Sequence, residues 1–322
     1  MEDSKLQEAQ DFLKKAEKST KKSWFSSPDY SIAAQYYEQA ANCYKSIKYN
    51  KPALETYNLA GKYYLEINNY FMAGKCYEQS SSLALNLQDY EVAYRHLMTS
   101  SDYYKLSGSM DIAAQLLEKY AKIFEPIEVE KAIELLKLAC EIYVSEEKGK
   151  FSIESYRKWQ SLLIREKNWI EADKVLKEMK QITNNLTNPS TSNKIILSLF
   201  VIWLAYGDSI ASKKIIDWGN SENGFIGSSE YEMIQSLLCY YEDSNQEEWL
   251  NCINKNAILF LDNEIAKVAK RLKLPGTSTV KLPIKDQPTT TLSSNEPKPG
   301  DIPPSNEKQK QEIIESDDDS LC

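Results

Sequence analysis

Small and large apolar residues alternate with polar ones along the first half of this chain in a pattern that returns every twenty residues. Alanine stands at Ala33, Ala53, Ala73, Ala93 and Ala113, then at Ala132, one residue early, and at Ala172 after an irregular unit. A larger apolar side chain follows four residues after each: Tyr37, Tyr57, Tyr77, Leu97, Leu117, Leu136 and Leu176. Another precedes each by about three residues: Tyr30, Tyr49, Tyr70, Tyr90, Met110, Val129 and Trp169. Residues three and four apart share one face of a helix, so each unit predicts one amphipathic helix with a small residue where it meets its neighbour. Two such helices make a hairpin of about forty residues, longer than the roughly thirty-four of a tetratricopeptide unit. The expected fold is all-α: a right-handed solenoid of antiparallel, tetratricopeptide-like helical hairpins.

The places where this pattern breaks set the expected domain boundaries. A first helix over 5–18 puts Leu6, Ala9, Phe12, Leu13 and Ala16 on one face. The segment KKSWFSSPDY then interrupts it; Ser23, Ser26, Ser27 and Pro28 mark a loop, and Asp29 or Ser31 caps the next helix. The unit at Phe151 keeps the period but puts Glu154 in the small position and Lys158 in the apolar one, so either the register shifts or that helix is more exposed. After Asn184 the spacing changes, and 194–206, 210–218, 229–241, 247–254 and 257–274 read as helices of unequal length. The most apolar run, 195–206, falls short of the roughly twenty residues needed to cross a bilayer and reads as a buried core helix. From Pro275 the chain turns to proline, serine, threonine and charge, with too little apolar surface to offset its ordering entropy. The reading is an array over 1–183 with a hydrophobic loop at 19–29, a capping C-terminal helical bundle over 184–274, and a disordered acidic tail over 275–322.

Composition narrows the function. With 47 acidic against 39 basic residues in 322, the net charge of −8 disfavours a nucleic-acid partner. The 21 tyrosines fall mostly at repeat positions, where they fill space between helices. Cys43, Cys76 and Cys140 sit among helical apolar positions and no CxxC pair exists, which points to reduced thiols and a cytoplasmic setting. The charged start MEDSKLQEAQDFLKKAEK does not read as a signal peptide. There is no GxxxxGK[ST] or GxGxxG for phosphates, and the single histidine, His96, rules out HExxH and reads as a solvated or capping residue. Acidic pairs such as Glu146-Glu147 and Glu247-Glu248 read as solvated helix faces. No catalytic residue, cofactor or metal is expected.

Two segments outside the period invite a functional reading. Trp24 and Phe25 lie side by side after Lys21 and Lys22, with further lysines at 14, 15 and 18. Aromatic rings favour the membrane interface, and each nearby lysine gains about 1 kcal/mol from anionic headgroups; the alternative is that the rings fold back onto the first hairpin. The end, ESDDDSLC, is either a solubilising tail or a docking element in which Leu321 fills a pocket and the acids meet a basic rim. Cys322 does not fit a prenylation signal.

In order and spacing the chain resembles the soluble NSF attachment proteins, their gamma-type members most closely. The resemblance rests on AEK (Ala16 to Lys18), PDY (Pro28 to Tyr30), AAQYYEQAANCYK (Ala33 to Lys45), VEKAIELL (Val129 to Leu136), LFLDNEIAKV (Leu259 to Val268) and the acidic end closing on Leu321-Cys322. It implies an adaptor without catalysis, which binds SNARE complexes built on syntaxin-type helices and recruits and stimulates the hexameric AAA+ ATPase NSF for their disassembly in vesicle transport. Several copies would share one SNARE complex, each monomeric when free and peripheral to the cytosolic face of a membrane. By the same resemblance, Trp24 and Phe25, with Lys21 and Lys22, would meet the membrane. Asp208, Glu242 and Asp243 would face the ATPase, with Leu321 in a stimulating end, and Arg157 and Lys158 would lie near the SNARE contact. The alternative is a general tetratricopeptide-like scaffold for another membrane-trafficking assembly, which has no use for the Trp24-Phe25 loop or Leu321.

Overall fold

In the computed structural model, which describes residues 2–22, 27–185, 189–254, 258 and 261–276, the chain is helical throughout, with no strand among those residues. The helices are α1 (Glu2–Thr20), α2 (Tyr30–Ser46), α3 (Asn50–Glu66), α4 (Tyr70–Asn86), α5 (Tyr90–Leu106), α6 (Met110–Phe124) and α7 (Val129–Ser145). They continue as α8 (Gly149–Arg165), α9 (Trp169–Asn185), α10 (Pro189–Tyr206), α11 (Ser209–Asn220), α12 (Ser229–Glu242), α13 (Gln246–Ile253) and α14 (Asn263–Arg271). From α1 to α11 each helix packs on the one before it and the one after it, the adjacency expected of a helical repeat.

The twenty-residue period runs further than the alanines do. Helix starts fall at 30, 50, 70, 90 and 110, then at 129, 149, 169, 189, 209 and 229, so the spacing does not change at Asn184. What changes is the residue at the fourth position of the helix. Ser152, Ser192 and Ser212 stand in α8, α10 and α11 where alanine stands elsewhere, and all three are buried. Serine is nearly as small as alanine, and its hydroxyl is satisfied close by: Ser152 donates to the Gly149 carbonyl at 2.7 Å and Ser212 to the Ser209 carbonyl at 2.8 Å. Four residues on, Tyr156, Ile196 and Ile216 fill the large position and are buried. In α8, then, the register starts two residues before Glu154 and Lys158, which both face solvent.

Most of the hairpin turns share one backbone solution. Lys48, Asn68, Gln88, Gly108, Glu147, Lys167, Gly207 and Ser244 each take a positive φ between 54° and 93°, two residues ahead of the next helix. The α6–α7 turn, which contains Pro126, has no such residue, and there the period shortens by one. The residue after the turn often caps the next helix. Asp29, Asn69, Asp89, Asn168, Asp208 and Ser228 accept from a backbone N–H three residues on, at 2.8 to 3.3 Å.

Side chains divide into two apolar clusters. One, rich in tyrosine, joins α1 to α4 between Ala9 and Leu83; the other runs from Ala84 to Leu274. In α10 every residue from Ile195 to Ile202 is buried, as expected of a core helix, because α9, α11, α12 and α14 all pack on it. The last helix is shorter than the pattern over 257–274 suggests: it begins at Asn263, where Asp262 accepts from the Glu264 N–H at 2.9 Å. His96 also departs from expectation. It is buried, not solvated, with its ring edge-on to Tyr77 at 5.7 Å, and burial lowers its pKa and favours the neutral ring.

Candidate functional site

The ninth residue of α2, α4 and α6 is an acid in each case. On α2, Glu38 accepts from Tyr64 Oη at 2.7 Å and from Lys75 at 3.3 Å. One hairpin later, Glu78 on α4 accepts from Tyr104 Oη at 2.9 Å and from Lys119 at 3.3 Å. On α6, Glu118 accepts from Ser155 and lies beside Tyr143. Each acid therefore binds its own hairpin partner or the next even helix, or both. Burial raises all three tyrosine pKa values, that of Tyr143 to about 12, with Glu118 and Asp111 adding to the effect.

On α8 the row changes sign, since the ninth residue is Arg157. Arg157 and Lys158 are each about half exposed and reach Glu154 only loosely, at 3.8 and 3.9 Å. About two turns further on, Arg165 meets Glu125 at the end of α6, at 2.5 Å. Ser161 donates to Asp262 at 3.0 Å, which fastens the start of α14 against the same face of α8. Arg157 lies between two clefts of about 350 and 330 Å³, one floored by Leu176, Met179 and Ile195, the other rimmed by Glu125, Glu154 and Glu264. The structure thus brings Arg157 and Lys158 onto one mixed-charge surface together with Arg165 and Asp262. Those last two escaped the sequence reading, because their partners Glu125 and Ser161 come from distant parts of the chain.

Three acids chosen from the sequence lie elsewhere, at the start of α11 and the end of α12. Asp208 is the N-cap of α11 and accepts from the Ala211 N–H at 2.8 Å. Lys213, on the same helix, pairs with Glu242 at the end of α12, at 2.6 Å. Asp243 follows directly and accepts from the Cys239 thiol at 3.4 Å. The Lys213–Glu242 pair thereby links α11 to the end of α12, with Glu242 and Asp243 exposed and Asp208 half-buried.

Lys21 and Lys22 are exposed just beyond α1. Trp24, Phe25 and Leu321 lie outside the described residues. Among the described residues no group of histidine, cysteine and acidic side chains is placed to hold a metal ion, and no helix is long and apolar enough to cross a membrane.

Relatives match the chain in sequence over most of its length. The gamma-soluble NSF attachment protein of Dictyostelium discoideum is 28% identical over 298 residues, 92% of this chain and 89% of its own length. That of Arabidopsis thaliana is 23% identical over 278 residues, covering 85% and 94%, and the alpha-soluble NSF attachment protein of Vitis vinifera is 21% identical over 268, covering 78% and 87%. The family model described as soluble NSF attachment protein, SNAP, matches residues 7–263, from within α1 to the first residue of α14. By that match the chain belongs to the soluble NSF attachment protein family.

Proposed function

We propose that this chain is a non-catalytic adaptor that binds SNARE complexes, recruits the ATPase NSF to them and stimulates their disassembly. The observation that carries the reading is the family match through residues 7–263, which takes in the helical array and the C-terminal helices together. The surfaces divide the work. The α8 face with Arg157 and Lys158 meets acidic positions on the outside of a SNARE helix bundle. Glu242, Asp243 and Asp208 offer negative charge to the ATPase, and Leu321 acts in the stimulating end. Lys21 and Lys22, with Trp24 and Phe25, hold the adaptor at the cytosolic face of a membrane, where it works peripherally. An array of this kind supports several weak contacts along an elongated partner, and several copies on one SNARE complex would gain avidity without slow release.

The test is reconstitution. Purified chain, an assembled SNARE complex, NSF and ATP are mixed, and SNARE release is followed with and without the chain. We expect chain-dependent retention of the ATPase on the complex, then ATP-dependent release of the SNARE helices. Retention of neither would count against the adaptor reading and favour a scaffold for another trafficking assembly.

A further inference from the structure

Lys180 is the most deeply buried cation described in the chain. Its side chain is 2% exposed, on the last turns of α9 where that helix faces α11. The ammonium lies 2.6 Å from Glu222 Oε2 and 4.8 Å from the centre of the Trp218 ring. That ion pair is poorly directed for a hydrogen bond and engages at most one of the ammonium's donors. An ammonium has three N–H donors, and burying one unsatisfied is costly enough that such groups in native proteins call for a reason.

The reason lies in what the donors face. A cleft of about 510 Å³ opens between α9 and α11, lined by Lys177, Lys180, Lys214, Asn184, Trp218 and Glu222. Lys177 reaches Asp173 Oδ2 at 2.7 Å, but the other oxygen of that carboxylate takes the Trp203 indole N–H at 2.8 Å, so Asp173 answers two donors. Within the cleft three lysines stand against the single carboxylate of Glu222. Lysines from two helices converging on one space bind an anion with acceptors on several sides. A phosphate group has that form, whereas a carboxylate presents two oxygens in one plane.

We infer that the α9–α11 cleft binds a phosphate-bearing anion, with Lys180 as the buried contact, Lys177 and Lys214 as its rim, and Glu222 occupying the place in the anion's absence. The chemistry is shared by a phosphorylated lipid headgroup and a soluble phosphate ester. None of the lining residues belongs to the SNARE, ATPase or membrane surfaces proposed above.

Calorimetric titration of the full chain with inorganic pyrophosphate tests it, with melting curves to confirm that each variant is folded. Lys214→Glu should weaken binding about tenfold, and Glu222→Gln, which removes the competing charge but keeps the side chain's size, should tighten it several-fold. Lys180→Met should abolish binding, but because that change also strands Glu222, the other two variants carry the test. Flotation with vesicles containing a phosphorylated inositol lipid, against titration with the matching soluble headgroup, distinguishes the two sources. Binding that is the same in wild type, Lys214→Glu and Glu222→Gln would overturn the proposal, as would no binding at all.

Discussion

Arg157 occupies on α8 the position that Glu118 occupies on α6, each being the ninth residue of its helix. The two differ in what holds them as well as in sign. Glu118 is tied down by Ser155 and lies beside Tyr143, whereas Arg157 has, among the described residues, only Glu154 as an ion-pair partner, at 3.8 Å, and is half exposed. An arginine so loosely held at such an exposed site adds little to folding. Its guanidinium remains available to a partner.

Charge reversal at this point should therefore separate binding from stability. Arg157→Glu together with Lys158→Glu is expected to weaken SNARE-complex binding at least tenfold, about 1.4 kcal/mol, while moving the folding free energy by no more than ~0.5 kcal/mol. A pull-down titration and a thermal melt on the same preparation check both halves. Unchanged affinity would remove the α8 face from the proposed contact.

The tyrosine–glutamate pairs predict how the fold responds to alkali. Burial, helped by Glu118 and Asp111, lifts the Tyr143 pKa from 10 to about 12. The folded state thus favours the neutral phenol. Its contribution is whole below pH 10 and is lost as the pH climbs towards 12, by about 1–2 kcal/mol. Denaturant midpoints at pH 8 and pH 11.5 measure the fall. Lysine ion pairs weaken over the same range, so the diagnostic is the difference: Tyr143→Phe should be less stable than wild type at pH 8 and fall less steeply. Parallel curves would refute the assignment.

The shared turn makes a prediction of opposite sign. Glu147 and Lys167 hold φ at 57° and 56°, where a side chain costs about 1–2 kcal/mol that glycine avoids. Glycine in turn loses roughly 0.5–1 kcal/mol more in chain entropy on folding. The balance favours glycine, so Glu147→Gly and Lys167→Gly should each stabilise by about 0.5–1 kcal/mol, raising the melting temperature. Conversely, Gly108→Ala, at φ 77° with open space around it, should destabilise by about 1 kcal/mol through backbone strain alone.

How much of this was written in the chain depends on which physical property carried each feature. Alanine in one place and tyrosine or leucine four residues on is a volume pattern, and it located the helices from Ala33 to Ala172. The same volume pattern continued through Ser152, Ser192 and Ser212, but a search for apolar residues passes over serine, so the irregularity at Glu154 and the apparent change at Asn184 followed. Hydropathy alone cannot show that a serine hydroxyl is satisfied one turn back along its own helix. His96 was misplaced for a related reason. It falls between apolar positions in the sequence, and its burial involves Tyr77, which approaches from the preceding helix. The candidate surfaces were less legible still. Residues far apart in sequence, such as Arg157 and Asp262 or Lys213 and Glu242, gain meaning only from which helices the fold brings together.

Asp208 is where a structural and a functional role must be pulled apart, because the carboxylate that would face the ATPase also caps α11. Asparagine keeps the acceptor oxygen and ranks with aspartate as an N-cap, while alanine removes it at a cost of about 1 kcal/mol. If negative charge is what the ATPase meets, Asp208→Asn should lower recruitment of NSF to SNARE complexes while leaving the melting temperature near wild type. Asp208→Ala should lower both. Glu242→Gln provides the companion measurement, since its pair with Lys213 is half exposed and contributes little to stability. Should Asp208→Asn recruit the ATPase as well as wild type while Asp208→Ala does not, the residue acts only by holding the end of α11, and the contact shifts to Glu242 and Asp243. Equal recruitment by Asp208→Asn, Glu242→Gln and wild type would place the ATPase surface elsewhere on the chain.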